Sequence, residues 1–448
     1  MNRRKFLGIL AGAAAGAPFL ADSAVSNFPQ LQGSKNKLLP FSNRQHQYDQ
    51  PTAAEAADLQ PIERPQIHNQ RDTLEDKIAE LIITDRGSIG SFFPGGIILT
   101  KQQTREGHLF GKYHSYDPER AQSTVEDVLK SAAQMNKRVL IYDEGEGGFV
   151  TRIGTLPAAG DIGNYYVHNR IRGTITGRVT PSSDKNTRKN QIVALFENYA
   201  KELHNRGVNA VLGPVLDVII SGKNDNLIER DGRSFGPSHA ATVDLAQMYI
   251  NAMHRYGIRV TGKHFLGAGI PKNGDVHEEL VTQTRRIRPR LNAGSVYRRL
   301  REGLDGVMAT HIRNPADNNK PYILSEVALD YLTQTKYQDD GRTYRGIDFN
   351  GLVITDDILM KGVLEYVKRN KLTKRQQKLV AGCSNLESKT AVLAIDAGCN
   401  AVIALQTDVD SIVRGISYAY KTGDSKFKNR VDNSFRKYQE FVQKFNLN

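Results

Sequence analysis

Two short stretches carry residue types that can do chemistry together. Residues 352–357 read Leu-Val-Ile-Thr-Asp-Asp, an apolar run ending in Asp356 and Asp357. A carboxylate at the end of a buried strand is held ready to attack an electrophilic carbon or to stabilise positive charge. The second stretch starts at Lys263-His264, continues through a glycine-rich segment and ends in Asp275-Val276-His277. In extended backbone, residues i and i+2 point the same way, so Asp275 can orient the His277 imidazole and fix its tautomer. Histidine titrates near neutral pH, which suits giving a proton in one step and taking one in the next. A carboxylate nucleophile with a switching acid/base is the arrangement of a retaining glycosidase, here with histidine in place of the usual second carboxylate. The plainer alternative for Asp275 and His277 is a solvated loop pair.

Groups so far apart in sequence need a scaffold that gathers them. From Leu74 onward, short apolar runs alternate with helical patterns. The runs are Leu81–Ile83, Gly96–Leu99, Val139–Tyr142, Ala210–Leu212, Arg259–Thr261, Gly306–Ala309, Leu352–Thr355 and Ala401–Ala404. Between them, Ile192, Leu195, Phe196, Tyr199 and Leu203 recur at helical spacing and stop at Gly207, and a second helix spans about 240–256 and stops at Gly257. Repeated strand–helix units with continuously apolar strands imply a parallel sheet covered by helices. Eight such runs close an α/β fold of the (β/α)8 TIM-barrel type. An open doubly wound sheet fits less well, since no GxGxxG fingerprint follows an early strand. In a barrel, chemistry belongs at the C-terminal strand ends. Polar residues collect there: Asp143-Glu144, Asp217, Lys263-His264, His311 and Asp356-Asp357.

With these residues in view, the sequence resembles glycoside hydrolase family 3, specifically its single-domain bacterial β-N-acetylglucosaminidases. Residues 263–277 look like the family's KHFPGHG…D-x-H, and 352–357 like its nucleophile strand. Residues 308–311 (MATH), 213–218 (GPVLDV) and 233–236 (RSFG) also look like family segments. The resemblance implies Asp356 as nucleophile and Asp275/His277 as the acid/base dyad. It further implies that Lys263, His264 and Arg233 bind the sugar, that Asp143 grips its hydroxyls, and that Arg152 binds substrate. The family's D-Q-E-G-G-R-V-x-R is one residue longer here, with Phe149 where its first Arg stands. In the 263–277 loop Leu266 replaces Pro, Ala268 replaces His, and one residue is inserted before Asp275. Residues 163–186 read as an extra loop beside the rim. Only about 90 residues follow Asp356, which favours N-acetylglucosaminidase over β-glucosidase, because the latter draws its acid/base from a second domain. The implied substrates are β-N-acetylglucosaminides, peptidoglycan fragments among them. A non-catalytic glycan-binding protein on the same barrel, and a phosphorylase variant, are the alternatives.

The remaining features bear on location and partners. Residues 1–23 pair Arg3-Arg4 with a short apolar, glycine-rich core and small residues near Ala24, the form of a twin-arginine-type export signal. Residues 24–73 are polar with scattered prolines, a linker or extended arm leading to a single catalytic domain over 74–448. A periplasmic or envelope location follows. A net charge of +13 then suits an anionic envelope polymer, and nucleic acid is not expected as a partner. Arg285, Arg286, Arg288, Arg290, Arg298, Arg299 and Arg301 form a basic tract that is either a solvated face or the contact for such a polymer. With 39% hydrophobic and 24% charged residues, disorder and fibrous repeats are excluded. Cys383 and Cys399 are read as small buried residues, and two cysteines cannot form a disulfide scaffold or a four-cysteine zinc site. No metal cluster or nucleotide motif appears, so no metal and no cofactor is expected.

Overall fold

Each of the eight apolar runs forms a strand of one parallel sheet. The computed structural model describes residues 73–100, 108–109, 112–113, 117–219, 227–267, 293–314, 317–339 and 341–444. The strands are β1 (Ile82–Thr84), β2 (Gly96–Ile98), β3 (Leu140–Asp143), β4 (Ala210–Val211), β5 (Arg259–Phe265), β6 (Gly306–Ala309), β7 (Leu352–Thr355) and β8 (Val402–Ile403). They pair in the order 7-6-5-4-3-2-1-8, every pair parallel. A parallel bridge between Ile354 and Ala401, with Thr355 N–H donating to Ala401 O at 3.0 Å, joins β7 to β8 and closes the barrel.

Both faces of each strand are covered, which is why the sequence runs were continuously apolar. Ile82, Ile97, Ile141, Val307, Val353 and Val402 pack outward against helices. Their neighbours Ile83, Ile98, Tyr142, Met308, Ile354 and Ile403 fill the interior. Each such side chain contributes about 1.5–3 kcal/mol on burial. Gly96 is required by this filling, because a Cβ there would lie 2.6 Å from the Tyr142 ring.

Helices return the chain between strands, and their ends follow local rules. In α1 (Leu74–Glu80), Thr73 and Asp76 form a reciprocal capping box. In α2 (Lys185–Asn205), Asp184 accepts from the N–H groups of Asn186 and Thr187. In α3 (His239–Arg255), Ser238 caps Ala241 N–H. Gly207 and Gly257, just beyond α2 and α3, have φ of 74° and 69° and turn the chain into β4 and β5.

The last helix, α4 (Ser425–Gln443), closes the end of the barrel where the strands begin. Tyr438, Phe441 and Val442 join the interior cluster, and Tyr438 Oη donates to Gly95 O at 2.9 Å. Arg259, fully buried at the start of β5, donates to the carbonyls of Phe441 and Val442. These are last-turn carbonyls that the helix itself leaves unpaired. Asp305 completes this floor, accepting from His254 Nε2 at 2.8 Å, Val260 N–H at 2.8 Å and Lys444 Nζ at 2.5 Å.

Three expectations change. Strand β5 does not stop at Thr261 but continues to Phe265, because Lys263 N–H donates to Pro214 O and Lys263 O accepts from Leu216 N–H. The segment 163–186 is not all loop: Gly163–His168 belongs to a helix, Ala159–His168, and residues 185–186 open α2. Cys383 is only partly buried, whereas Cys399 is buried and its thiol is pushed up to about 12 by that burial. The signal 1–23, the linker up to residue 72 and Arg285–Arg290 lie outside the described residues.

The Arg259 contact predicts that Arg259→Leu, which orphans two buried carbonyls, costs about 2–4 kcal/mol of unfolding free energy. Urea unfolding of the two proteins measures it, and an unchanged midpoint would remove Arg259 from the account of the floor.

Candidate active site

The C-terminal ends of the strands form the opposite rim. Asp356 immediately follows β7, and its backbone N–H donates to Ala309 O, the last residue of β6, at 3.0 Å. The half-buried Asp356 carboxylate accepts the Asp357 N–H on Oδ1 at 2.9 Å. The Asp357 carbonyl, in the following peptide, accepts from His311 Nε2 at 2.7 Å, so His311 and the Asp356 carboxylate are both tied to the backbone of Asp357. The Asp357 side chain is anchored in turn, with Oδ1 accepting from Leu359 N–H at 3.1 Å and Leu405 N–H at 3.3 Å. Burial, reinforced by repulsion from Asp356 and Asp85 and opposed by those N–H groups, raises the Asp357 carboxyl to about 7.

Next around the rim, at the end of β5, Lys263 is only 2% exposed. Its ammonium lies 2.7 Å from Glu144 Oε2 and 2.5 Å from Glu146 Oε1. Glu146 is also gripped bidentately by Arg233, Nε to Oε2 at 2.5 Å and Nη2 to Oε1 at 2.7 Å. Burial alone would raise the Glu146 carboxyl, but the Arg233 and Lys263 charges outweigh it and hold the group below the ordinary carboxylate range. Burial likewise opposes the charge on Lys263, and Glu144 and Glu146 overcome it, so its ammonium is held above the ordinary lysine range. His264 turns its Nδ1 to Asp217 Oδ2 at 2.7 Å, and the His264 N–H donates to the same oxygen at 3.2 Å. An Nδ1–H donated to a carboxylate leaves Nε2 as the ring acceptor. Ser234 Oγ donates to Asp217 O at 2.6 Å, which fastens the Arg233 segment to the loop after β4.

Both glutamates come from the loop after β3, shaped by Asp143. Its carboxylate is fully buried and accepts four hydrogen bonds: Gly145 N–H at 2.8 Å, Arg152 N–H at 3.0 Å, Ile153 N–H at 2.9 Å and Tyr199 Oη at 2.5 Å. Burial raises the Asp143 carboxyl in spite of these donors. Gly145 has φ 64°, and a Cβ there would sit 2.5 Å from Tyr249 Oη, so the turn that presents Glu146 demands glycine. Arg152 returns at the loop's end, its Nη2 3.5 Å from Glu144 Oε1.

Seven of the nine site residues expected from sequence therefore lie on this rim: Asp356, His311, Lys263, His264, Arg233, Arg152 and Asp143. Asp275 and His277 lie outside the described residues. Asp143 faces its own loop, with both oxygens already occupied. The pairing of Glu146 with Lys263 and Arg233 was missed from sequence, and its one signal is a carboxylate set among glycines in Gly145-Glu146-Gly147-Gly148. Among the described residues, no group of three His, Cys, Asp or Glu is placed to hold a metal.

A closed parallel barrel with carboxylates, imidazoles and paired cations on its C-terminal rim defines a barrel enzyme. The chain belongs to glycosyl hydrolase family 3, whose N-terminal domain matches residues 73–440. It is 29% identical over 283 residues to a β-hexosaminidase of Psychromonas ingrahamii, covering 60% of this chain and 70% of the relative. Among solved structures, it is similar to the β-N-acetylhexosaminidase of Beutenbergia cavernae, with TM-score 0.61 and 18% identity over 83% of this chain and 98% of that one. NagZ of Neisseria gonorrhoeae, solved with N-trifluoroacetyl-D-glucosamine, gives TM-score 0.54 and 19% identity over 82% of this chain and 93% of that one. The solved structures share the barrel fold.

Because the Asp357 carboxyl lies far above that of an exposed aspartate, ionising it opposes folding. The penalty is absent below about pH 4, grows as pH rises and is complete above about pH 7. Asp357→Asn keeps an acceptor for the two N–H groups and should stabilise the protein at pH 8 by on the order of a few kcal/mol, with no gain at pH 4. Thermal unfolding at the two pH values measures this, and an equal change at both would refute the raised carboxyl.

Proposed function

We propose that this family 3 chain is an exo-acting β-N-acetylglucosaminidase that works with retention of configuration through a covalent glycosyl-enzyme. Its class, a glycoside hydrolase of β-N-acetylhexosaminidase type, follows from the family match and the β-hexosaminidases related to it. The observation that carries the finer reading is the placement of Asp356. It stands at the end of β7 with one carboxylate oxygen oriented by the next peptide, on the rim that also holds Lys263, His264 and Arg233.

In this reading Asp356 attacks the anomeric carbon while His277, paired with Asp275, protonates the leaving oxygen. Water then cleaves the glycosyl-enzyme with His277 as base. Lys263, Arg233 and Arg152 hold the sugar by charge-assisted hydrogen bonds, and His264 holds it through its ring Nε2. The natural substrates are peptidoglycan fragments or related envelope glycans, reached by export through the 1–23 signal. Export is tested by cell fractionation of the wild type beside a variant with Arg3 and Arg4 both changed to Lys, where equal periplasmic yield rules the signal out.

Catalysis is tested with 4-nitrophenyl β-N-acetylglucosaminide beside the β-glucoside. The N-acetyl substrate should be strongly preferred. His277→Ala should lower kcat by about 10²–10⁴-fold, and Asp356→Ala by at least as much. The first-formed sugar, followed by proton NMR, should be the β-anomer. Full turnover by folded Asp356→Ala removes the nucleophile assignment, and an α-anomer as first product removes retention.

A further inference from the structure

Asp143 and Glu144 are adjacent in sequence and opposite in circumstance. Asp143 is fully buried, and its two oxygens already accept three backbone N–H groups and the Tyr199 hydroxyl. A sugar hydroxyl could reach it only by taking the loop apart. Glu144, one residue on, has a side chain that is 21% exposed, between the Lys263 ammonium and the Arg152 guanidinium. An ionised carboxylate offers about four acceptor positions, and these two contacts use half of them. Lys263 has three donors, of which Glu144 and Glu146 take two. Arg152 Nε and Nη1 are buried and have no acceptor among the described residues. Acceptors and donors with spare capacity therefore stand side by side, the pattern that adjacent sugar hydroxyls satisfy because each both donates and accepts. Glu146 cannot take this part, since its side chain is 0% exposed and both its oxygens are held by Arg233.

We propose that Glu144, rather than Asp143, is the carboxylate that accepts hydroxyl hydrogen bonds from the bound sugar, with Asp143 as the internal brace that sets the loop presenting it. This inference rests on the glycosidase reading above.

The test is a cycle between side chain and hydroxyl on the full-length protein. Wild type, Glu144→Ala and Glu144→Gln are assayed on 4-nitrophenyl β-N-acetylglucosaminide and its 3-deoxy, 4-deoxy and 6-deoxy analogues. Wild type should lose about 10- to 100-fold in kcat/KM on the analogue lacking the contacted hydroxyl. Glu144→Ala should lose a similar factor on the parent substrate and almost nothing more on that analogue. Glu144→Gln, which keeps one acceptor, should fall between, and both variants should remain folded, since Lys263 keeps Glu146 as its counter-ion. If Glu144→Ala lowers all four substrates by one common factor, the residue is only a counter-ion for Lys263 and the proposal is overturned, as it is by undiminished kcat/KM. Should the wild type turn over none of the substrates, the same cycle is read from the melting-temperature rise given by N-acetylglucosamine and its deoxy forms. Non-additive loss there upholds Glu144 and removes only the catalytic reading, whereas no response to the sugar removes both.

Discussion

The rim is organised around one ammonium group taken out of water. Lys263 is 2% exposed, and a cation so buried stays charged without penalty only where close counter-charges offset the loss of water. Glu144 and Glu146 supply them, and much of the local structure follows. Strand β5 has to run past Thr261 to bring Lys263 to the rim. The loop after β3 has to fold back, which takes Gly145, Gly147 and Gly148 at positive φ and the Asp143 carboxylate as an internal brace. Glu146, with no exposure of its own, then needs a second cation, and Arg233 provides it bidentately. Arg233 is delivered by the Ser234–Asp217 contact, and Asp217 is also the residue that orients His264. Two glutamates, two cations and an imidazole are thereby fixed relative to one another before any ligand arrives, the preorganisation that a binding rim requires.

Strand β5 also links this rim to the floor. Arg259 and Lys263 are four residues apart, so in a regular strand their side chains share a face. One meets the last carbonyls of α4 and the other meets the carboxylates of the β3 loop. The two buried cations are matched differently, and the difference suits their positions. Carbonyls neutralise nothing, and burial leaves the Arg259 guanidinium below its ordinary range, a cost accepted where the contact serves only to close the barrel. At the rim, full carboxylates more than offset burial, and Lys263 stays a secure cation where a ligand is to be held.

How much of this was legible in the sequence depended on the range of the interaction. All eight strands could be read because each is buried on both faces and leaves an unbroken apolar run. The helix stops at Gly207 and Gly257 were legible because a left-handed residue has few substitutes. Asp356 was legible because an acidic pair closing an apolar run is conspicuous. The extension of β5 was not, since Lys263 and His264 look like loop residues until Pro214 and Leu216 pair with their backbone. The helix Ala159–His168 was hidden by Gly160 and Gly163, residues that lower helix propensity. Gly163 is there for packing, because a Cβ would lie 2.0 Å from Phe235 O. The ion cluster spans 87 to 119 residues of separation, and no local pattern encodes such a pairing.

The excess positive charge of the chain and the charges of its rim are separate matters. The sequence carries +13, yet the contacting rim groups Lys263, Arg233 and Arg152 are opposed by Glu144 and Glu146, with Asp217 against His264 beside them. Surplus charge sits instead on exposed residues such as Lys368, Lys371, Lys374 and Lys378. A site meant for a polyanion would leave its cations unmatched. This one matches them at 2.5–3.5 Å, so what it offers a ligand is direction rather than net charge. A neutral sugar, rich in hydroxyls that both donate and accept, is the kind of molecule that such a balanced and directional surface can distinguish from water.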